Sequence, residues 1–155
     1  MTLTKHIPNT VTCLNLLCGT VGIVTACAGM FRLSFCLMLG AALCDFLDGA
    51  AARLFHAYSE KGRELDSLAD IISFGVLPAV MLCLLMKAYS FGQGTPQWLC
   101  YTPLLIAPFS ALRLAKFNLD ERQHESFLGL PTPACAMICG SLAYFVASCP
   151  DSFLA

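Results

Sequence analysis

The sequence predicts an all-α, polytopic transmembrane helix bundle, and its composition and the spacing of its charges are the observations that predict it. Of its 155 residues, 57% are hydrophobic and 12% are charged, whereas a soluble domain carries about 25% charged residues. The mean hydropathy is +0.72. Nine Lys and Arg against ten Asp and Glu give no basic excess for nucleic acid, and the apolar content excludes a disordered chain. A membrane protein is the class that remains.

Five spans follow from the positions of the charged residues. The hydrocarbon core of a bilayer takes about 20 apolar residues, and the charge-free stretches 6–31, 88–112 and 126–150 contain 26, 25 and 25 residues. Two shorter stretches, 33–44 and 71–86, reach spanning length only by including charged residues at one end. We therefore expect the second and third helices to carry carboxylates.

The predicted helices cover, in chain order, residues 11–30, 33–56, 65–88, 98–119 and 132–149. Gly62 is predicted to lie in the turn between the second and third helices, and glycines and prolines precede the fourth and the fifth. The sequence contains no long linker or repeat, so it predicts a single domain over residues 1–155. None of its ten cysteines forms a CxxC pair, and we interpret them as packing residues rather than as metal or redox groups.

Basic residues predict the orientation of the chain in the membrane. Successive connections between the helices lie on opposite sides of the membrane. This places seven basic residues on the side of the N-terminus and only Arg32 and Lys87 on the other. Because cytoplasmic loops are enriched in Lys and Arg, the N-terminus and the acidic ends of the second and third helices are predicted to be cytoplasmic. The seven are Lys5, Arg53, Lys61, Arg63, Arg113, Lys116 and Arg122.

Two pairs of aspartates carry the predicted chemistry. Asp45 and Asp48 are three residues apart, and Asp66 and Asp70 are four apart, so each pair lies on one face of its helix. If the two helices return beside each other, four carboxylates meet at the cytoplasmic membrane face, where cations must neutralise them. An all-oxygen site favours a hard ion such as Mg²⁺, Mn²⁺ or Ca²⁺ over zinc.

A structural role is the alternative for these aspartates. The second pair suits a helix N-terminus, and the first pair has Arg53 or Lys61 as possible ion-pair partners. This alternative does not account for two carboxylates near the end of an apolar span, where ionisable groups usually serve a function. The small residues 49–52 leave the backbone accessible, and Arg53 suits phosphate. Together these features indicate a pyrophosphate site.

The spacing of these residues resembles the signature of the CDP-alcohol phosphatidyltransferase family. Its eight fixed positions are matched over 26 residues by Asp45-x-x-Asp48-Gly49-x-x-Ala52-Arg53, eight further residues, and Gly62-x-x-x-Asp66-x-x-x-Asp70. The resemblance implies a homodimeric bundle with six core helices and displacement of CMP from a CDP-linked lipid by an alcohol. Against six expected spans, the five counted here imply either a chain truncated at its C-terminus or a shortened variant.

The same resemblance assigns roles to the motif residues. It implies that the four aspartates bind two divalent ions, Mn²⁺ or Mg²⁺ with Ca²⁺ as a further candidate. Asp70, the last of the motif, is also implied to be the general base that takes the proton of the acceptor hydroxyl. The residues implied to bind CDP-diacylglycerol are Asp45, Gly49, Ala52, Arg53, Gly62 and Asp66.

Segments outside the signature resemble the bacterial phosphatidylserine synthases of this family. They lie at residues 7–19, 66–79, 112–118 and 129–133. This likeness implies L-serine as the acceptor and the bacterial inner membrane as the location. Arg113, Lys116 and Asn118 are the candidate acceptor-binding residues, and Lys116 stands where we expect Arg. A positive-inside anchor explains the basic residues equally well.

Two other functions stay open at the level of sequence. A sister enzyme that uses glycerol 3-phosphate or inositol phosphate needs an extra cationic pocket, for which Lys61, Arg63 and Arg122 are the candidates. A metal or proton transporter lines its pathway with carboxylates, and it predicts ionisable residues at both membrane faces or through the core. The gathering of the aspartates on one side counts against a transporter.

Overall fold

The computed structural model describes residues 6–54, 59–90, 96–119 and 131–148, which are helical almost throughout. Helix α1 spans His6–Cys27 and α2 spans Phe31–Leu54. The long third helix consists of α3 (Glu60–Asp70), a π-helical segment (Ile71–Val76) and α4 (Leu77–Ser90). A 3₁₀ helix (Gln97–Leu105) leads into α5 (Ile106–Leu119), and α6 spans Thr132–Ser148.

The prediction of an all-α membrane helix bundle is confirmed. Four helical stretches are long and apolar enough to cross a membrane, and one more apolar helix is shorter. The four are Asn9–Cys27, Phe31–Leu54, Lys61–Tyr89 and Gln97–Lys116, and the shorter one is Thr132–Ser148. All five predicted helices therefore have counterparts. The last begins at its predicted residue, and its predicted end, 149, lies outside the described residues.

A tight connection joins α1 to α2, and it ends α1 earlier than predicted. Gly29 has a φ of +79°, a left-handed conformation that glycine adopts without steric cost. The N–H of Gly29 donates to the carbonyl of Ala26 at 2.9 Å, and that of Met30 donates to the carbonyl of Thr25 at 2.9 Å. This Schellman pairing satisfies the last carbonyls of α1, and the two helices then pack against each other along their length.

The prediction that Gly62 lies in a turn is wrong. Helix α3 begins at Glu60, with Ser59 as its N-cap in extended conformation, and the Ser59 hydroxyl accepts a hydrogen bond from the N–H of Gly62 at 3.0 Å. A serine in this position satisfies one of the unpaired N–H groups of a first helical turn. The cap therefore starts the helix five residues before the predicted start, and Gly62 belongs to its first turn.

The long third helix lies at the centre of the bundle. It contacts α1 through α3, the π-helical segment and α4, and it contacts α6 through the π-helical segment and α4; α2 packs against α1 and α6. Phe74, Leu77 and Met81 of this helix form a buried cluster with Met38 of α2. Helix α5 packs on the outside against the π-helical segment.

The end of the bundle opposite the aspartates carries the two isolated basic residues. The Nε atom of Arg32 donates to the hydroxyl of Ser148 at 3.3 Å, and the hydroxyl of Tyr89 donates to the carbonyl of Val146 at 3.4 Å. The Nζ atom of Lys87 lies 4.3 Å from the centre of the Tyr101 ring. These contacts hold the ends of α2, α4 and α6 together.

The outer surface of the bundle is apolar, as contact with lipid requires. Leu17, Phe46, Phe109 and Phe145 are more than half exposed, at 59%, 72%, 66% and 57%. Over the described residues, nine cysteines are free thiols. Two of them are buried, at positions 83 and 100, but those at positions 13, 27 and 36 are exposed, so the packing interpretation does not hold for these three.

Candidate active site

Helices α2 and α3 bring three of the predicted aspartates together. One carboxylate oxygen each from Asp45, Asp48 and Asp66 lies within 4.8 Å of the other two. The first two residues project from the last part of α2, and the third follows the first turn of α3. Asp48 is only 5% exposed, so the cluster lies inside the bundle and not on a solvated helix face.

Asp70 lies beside this cluster, one helical turn beyond Asp66. Its carboxyl group is within hydrogen-bonding reach of that of Asp45, and its Oδ1 atom accepts a hydrogen bond from the Nδ2 atom of Asn15 at 3.4 Å. Helix α3 ends at Asp70 and the π-helical segment begins at the next residue. All four predicted aspartates therefore gather at one end of the bundle.

The arrangement of oxygen atoms fits a divalent cation. The Oδ1 atom of Asp66 is buried and has no hydrogen-bond partner. Burial without a partner is costly for a polar atom unless a ligand supplies that partner. Three carboxylates this close repel one another unless positive charge lies between them. An oxygen-only donor set at this spacing suits a hard ion, so the residues present fit a metal site.

Helix α1 supplies two polar side chains that the sequence analysis did not assign to the site. The hydroxyl of Thr12 donates to the Oδ2 atom of Asp48 at 2.7 Å, and Asn15 contacts Asp70 as described. Thr12 is 3% exposed and Asn15 is completely buried. The signal that could have found them is their spacing, because polar residues three apart inside an apolar span share one face of the helix.

The small residues of the motif differ in what surrounds them. A Cβ atom on Gly49 would meet nothing within 4 Å, whereas one on Gly62 would lie 2.9 Å from the Ser59 hydroxyl and 3.1 Å from Oδ1 of Asn9. A side chain at position 62 would therefore displace the Ser59 cap or Asn9, whereas the space beside the backbone at position 49 is open. The last motif residue of α2, Arg53, is exposed at the end of the helix.

The candidate acceptor-binding residues lie on α5, which is not part of the carboxylate cluster. Arg113 is half-buried and Lys116 is exposed, while the side chain of Asn118 lies outside the described residues. Helix α5 packs against the π-helical segment that follows Asp70: a Cβ atom on Gly75 would lie 3.4 Å from Cβ of Ser110. Lys5, Arg122 and the segment 120–130 also lie outside the described residues.

Comparison with known proteins identifies the family of the chain. The profile of the CDP-alcohol phosphatidyltransferase family matches residues 5–154. The chain belongs to the CDP-alcohol phosphatidyltransferase family. The matched range contains the segment from Asp45 to Asp70, and family membership favours a transferase over the transporter considered above.

Several curated relatives of this phosphatidyltransferase chain carry the name CDP-diacylglycerol–serine O-phosphatidyltransferase. The protein of Bacillus subtilis is 34% identical over 86% of this chain and 72% of its own length. That of Helicobacter pylori is 35% identical over 84% of this chain and 54% of its own length. The archaetidylserine synthase of Methanothermobacter thermautotrophicus is 33% identical over 87% of this chain and 56% of its own length.

The length of these relatives differs from that of this phosphatidyltransferase chain. Apart from the Bacillus subtilis protein, the chain spans about half the length of the curated relatives named above. No solved structure gives a significant match to the chain. The helix arrangement and the cluster described here therefore come from this structure alone.

Proposed function

We propose that this chain transfers the phosphatidyl group of CDP-diacylglycerol to the hydroxyl of L-serine and releases CMP. The observation that carries the proposal is the convergence of Asp45, Asp48 and Asp66 within 4.8 Å, with an unpartnered buried oxygen on Asp66. The chain belongs to the CDP-alcohol phosphatidyltransferase family, and the Bacillus subtilis and Helicobacter pylori relatives are named CDP-diacylglycerol–serine O-phosphatidyltransferase.

The four aspartates are the proposed ligands of one or two divalent ions, Mn²⁺ or Mg²⁺, with Ca²⁺ as a less suitable candidate. When bound, the metal supplies positive charge against the pyrophosphate of the substrate and the phosphate of the leaving CMP. The open space beside Gly49 and the neighbouring Ala52 gives the cytidine end of the substrate room to approach the backbone of α2. The exposed guanidinium of Arg53 is placed at the end of α2 to bind phosphate oxygens.

Asp70 is the proposed general base. Its carboxylate accepts the proton of the serine hydroxyl while the serine oxygen forms a bond to the phosphorus that carries diacylglycerol. The bond from that phosphorus to the CMP oxygen breaks, and CMP leaves with the electron pair. The hydrogen bond from Asn15 to Oδ1 of Asp70 orients this carboxylate, and the other oxygen is the one that accepts the proton.

Serine is the acceptor that the comparisons favour over glycerol 3-phosphate or inositol phosphate. Both the bacterial and the archaeal relatives have serine in their names. Serine is a zwitterion, and its carboxylate needs a cationic partner. Arg113, Lys116 and Asn118 of α5 are the proposed partners.

The proposed location is the bacterial inner membrane, with the N-terminus and the site on the cytoplasmic side. Arg32 and Lys87, the two basic residues assigned to the other side, lie at the opposite end of the bundle from the aspartates, which supports this orientation. We further propose that residues 1–155 form one domain and that the protein acts as a homodimer.

Release of CMP tests the proposed function. The full chain in detergent micelles is incubated with CDP-diacylglycerol and Mn²⁺ or Mg²⁺, in parallel with serine, glycerol 3-phosphate, inositol phosphate or no acceptor. We expect release that requires serine and stops on addition of a chelator. The double variant Asp66→Asn, Asp70→Asn should abolish release, and Glu64→Gln on the same helix should retain it. Release with another acceptor overturns the choice of serine, and metal-independent release overturns the proposed site.

A further inference from the structure

We infer that Thr12 and Asn15 of α1 are positioning residues that orient Asp48 and Asp70 for cation binding. The inference rests on the proposed function, because it presumes that the aspartate cluster holds a divalent ion. Neither residue belongs to the family signature matched above. Both enter the site from a helix that carries none of the four aspartates.

The contact of Thr12 with Asp48 fixes one carboxylate oxygen. An ionised carboxylate only accepts hydrogen bonds, so the single hydroxyl proton of Thr12 is donated to Oδ2 of Asp48 over 2.7 Å. Both side chains are almost fully buried, at 3% and 5% exposure, so water does not compete for the proton. The hydrogen bond ties Oδ2 to α1 and so fixes the orientation of the Asp48 carboxylate.

The contact of Asn15 leaves an oxygen atom in need of a partner. Its Nδ2 atom donates to Oδ1 of Asp70 at 3.4 Å, and its own Oδ1 atom is buried and without a hydrogen-bond partner. The Oδ1 atom of Asp66 is also buried and without a hydrogen-bond partner. The unpartnered buried oxygen of Asp66 is costly in the absence of a ligand, and a cation held by the aspartates gives it a partner.

The backbone of α1 is held at a fixed position relative to Asp70. Ser73, in the π-helical segment that begins after Asp70, donates its hydroxyl to the backbone carbonyl of Asn15 at 3.1 Å. A Cβ atom on Gly19 would lie 2.3 Å from the Ser73 hydroxyl and 3.0 Å from its Cα atom. Only a glycine allows this close approach, which keeps the Asn15 amide beside Asp70.

Removing a hydrogen bond to a metal-binding side chain typically lowers metal affinity or activity by about 10- to 100-fold. The test is binding of Mn²⁺ to the full chain in detergent, measured from the electron paramagnetic resonance signal of free Mn²⁺ and from the Mn²⁺ concentration that half-maximally raises the melting temperature. Thr12→Val keeps the shape of the side chain and removes its hydroxyl, whereas Thr12→Ser keeps the hydroxyl. We expect Thr12→Val to weaken Mn²⁺ binding by at least about 10-fold and Thr12→Ser to restore it.

Ser34→Ala is the matched control. Ser34 is as buried as Thr12, at 0% exposure, but its hydroxyl donates to the backbone carbonyl of Gly22 at 2.8 Å and to no carboxylate. Its loss lowers the melting temperature without changing Mn²⁺ affinity. If Thr12→Val behaves in the same way, its role is structural and the inference is overturned. Should Thr12→Val not fold, Asn15→Ala decides the question by the same criterion.

The result separates this inference from the proposed function. If the starting chain binds no Mn²⁺, both fail. If it binds Mn²⁺ with an affinity that does not depend on Thr12 or Asn15, only the inference fails. If the affinity depends on them and CMP release does not depend on serine, the inference stands and the proposed acceptor is overturned.

Discussion

Replacing Asp66 by Asn should change the stability of the protein in opposite directions without and with a metal ion. At 4.8 Å, the largest separation within the cluster, two unit charges repel by about 3.5 kcal/mol at an effective dielectric constant of about 20. Asp66→Asn removes this repulsion toward both Asp45 and Asp48. Since neighbouring groups screen part of it, we expect the metal-free variant to be more stable by about 1–3 kcal/mol, which is about 2–12 °C in melting temperature.

A bound ion reverses the order of stability of the starting chain and the Asp66→Asn variant. A ligand present at about 100 times its dissociation constant stabilises the folded state by about 2.7 kcal/mol, which corresponds to about 5–11 °C for a chain of this size. Asp66→Asn removes one of the charged ligands, so the variant should gain little from Mn²⁺. Without Mn²⁺, the starting chain should therefore melt at a lower temperature than Asp66→Asn. With Mn²⁺, it should melt at a higher temperature than the variant.

The assay is thermal denaturation in detergent, with a chelator or with saturating Mn²⁺. Glu64→Gln is the control, because Glu64 is an exposed acid on the same helix outside the cluster. A surface change of this kind should stay within about 0.5 kcal/mol in both conditions. The reasoning is refuted if Asp66→Asn lowers the metal-free melting temperature, or if it leaves the Mn²⁺-induced rise intact.

Three glycine substitutions provide further predictions. Gly19→Ala forces a Cβ atom to 2.3 Å from the Ser73 hydroxyl and should destabilise the protein by about 1–3 kcal/mol in a denaturation assay; unchanged stability would contradict the close approach of the helices. Gly49→Ala meets no atom within 4 Å and should leave the melting temperature unchanged or higher while it raises the KM for CDP-diacylglycerol; a lower melting temperature with unchanged KM contradicts this. Gly29→Ala, at a φ of +79°, should lower stability by about 1 kcal/mol with no effect on KM.

The positions of the membrane helices could be predicted from the sequence because the bilayer sets both their length and their polarity. Charged residues limit the apolar stretches, and the spacing of Asp45 and Asp48 places both on one helix face. The convergence of the two aspartate pairs was predicted on the condition that α3 returns beside α2. The structure brings carboxylate oxygens of Asp45, Asp48 and Asp66 together, although α2 and α3 both pack against α1 rather than directly against each other.

Local hydrogen bonds explain what the sequence pattern did not predict. The Ser59 cap and the left-handed Gly29 set the start of α3 and the end of α1, and hydropathy does not report either. The 3₁₀ helix contains Pro103, which has no N–H to donate, and within it the Thr102 hydroxyl donates to the carbonyl of Leu99 at 2.8 Å. No periodicity in the apolar residues distinguishes such segments from an α-helix.

The contacts from α1 were missed for a different reason. Thr12 and Asn15 are polar residues in an apolar span, but their partners are 36 and 55 residues away along the chain. Spacing within one helix identifies a face and not the helix that packs against it. Only the three-dimensional arrangement of α1, α2 and α3 connects these side chains to the aspartates.

The short connection between α1 and α2 has a consequence for the order in which the site assembles during synthesis. Two helices joined by three residues form a hairpin from local contacts, which form quickly, and the hydrogen bond from Thr12 to Asp48 lies wholly within it. Asp48 can therefore be oriented before Asp66 and Asp70 have left the ribosome. Asp66 and Asp70 lie on the long third helix, which is synthesised later and packs against α1 of this hairpin. The early segments of the chain therefore set the geometry of the site that the later segments complete.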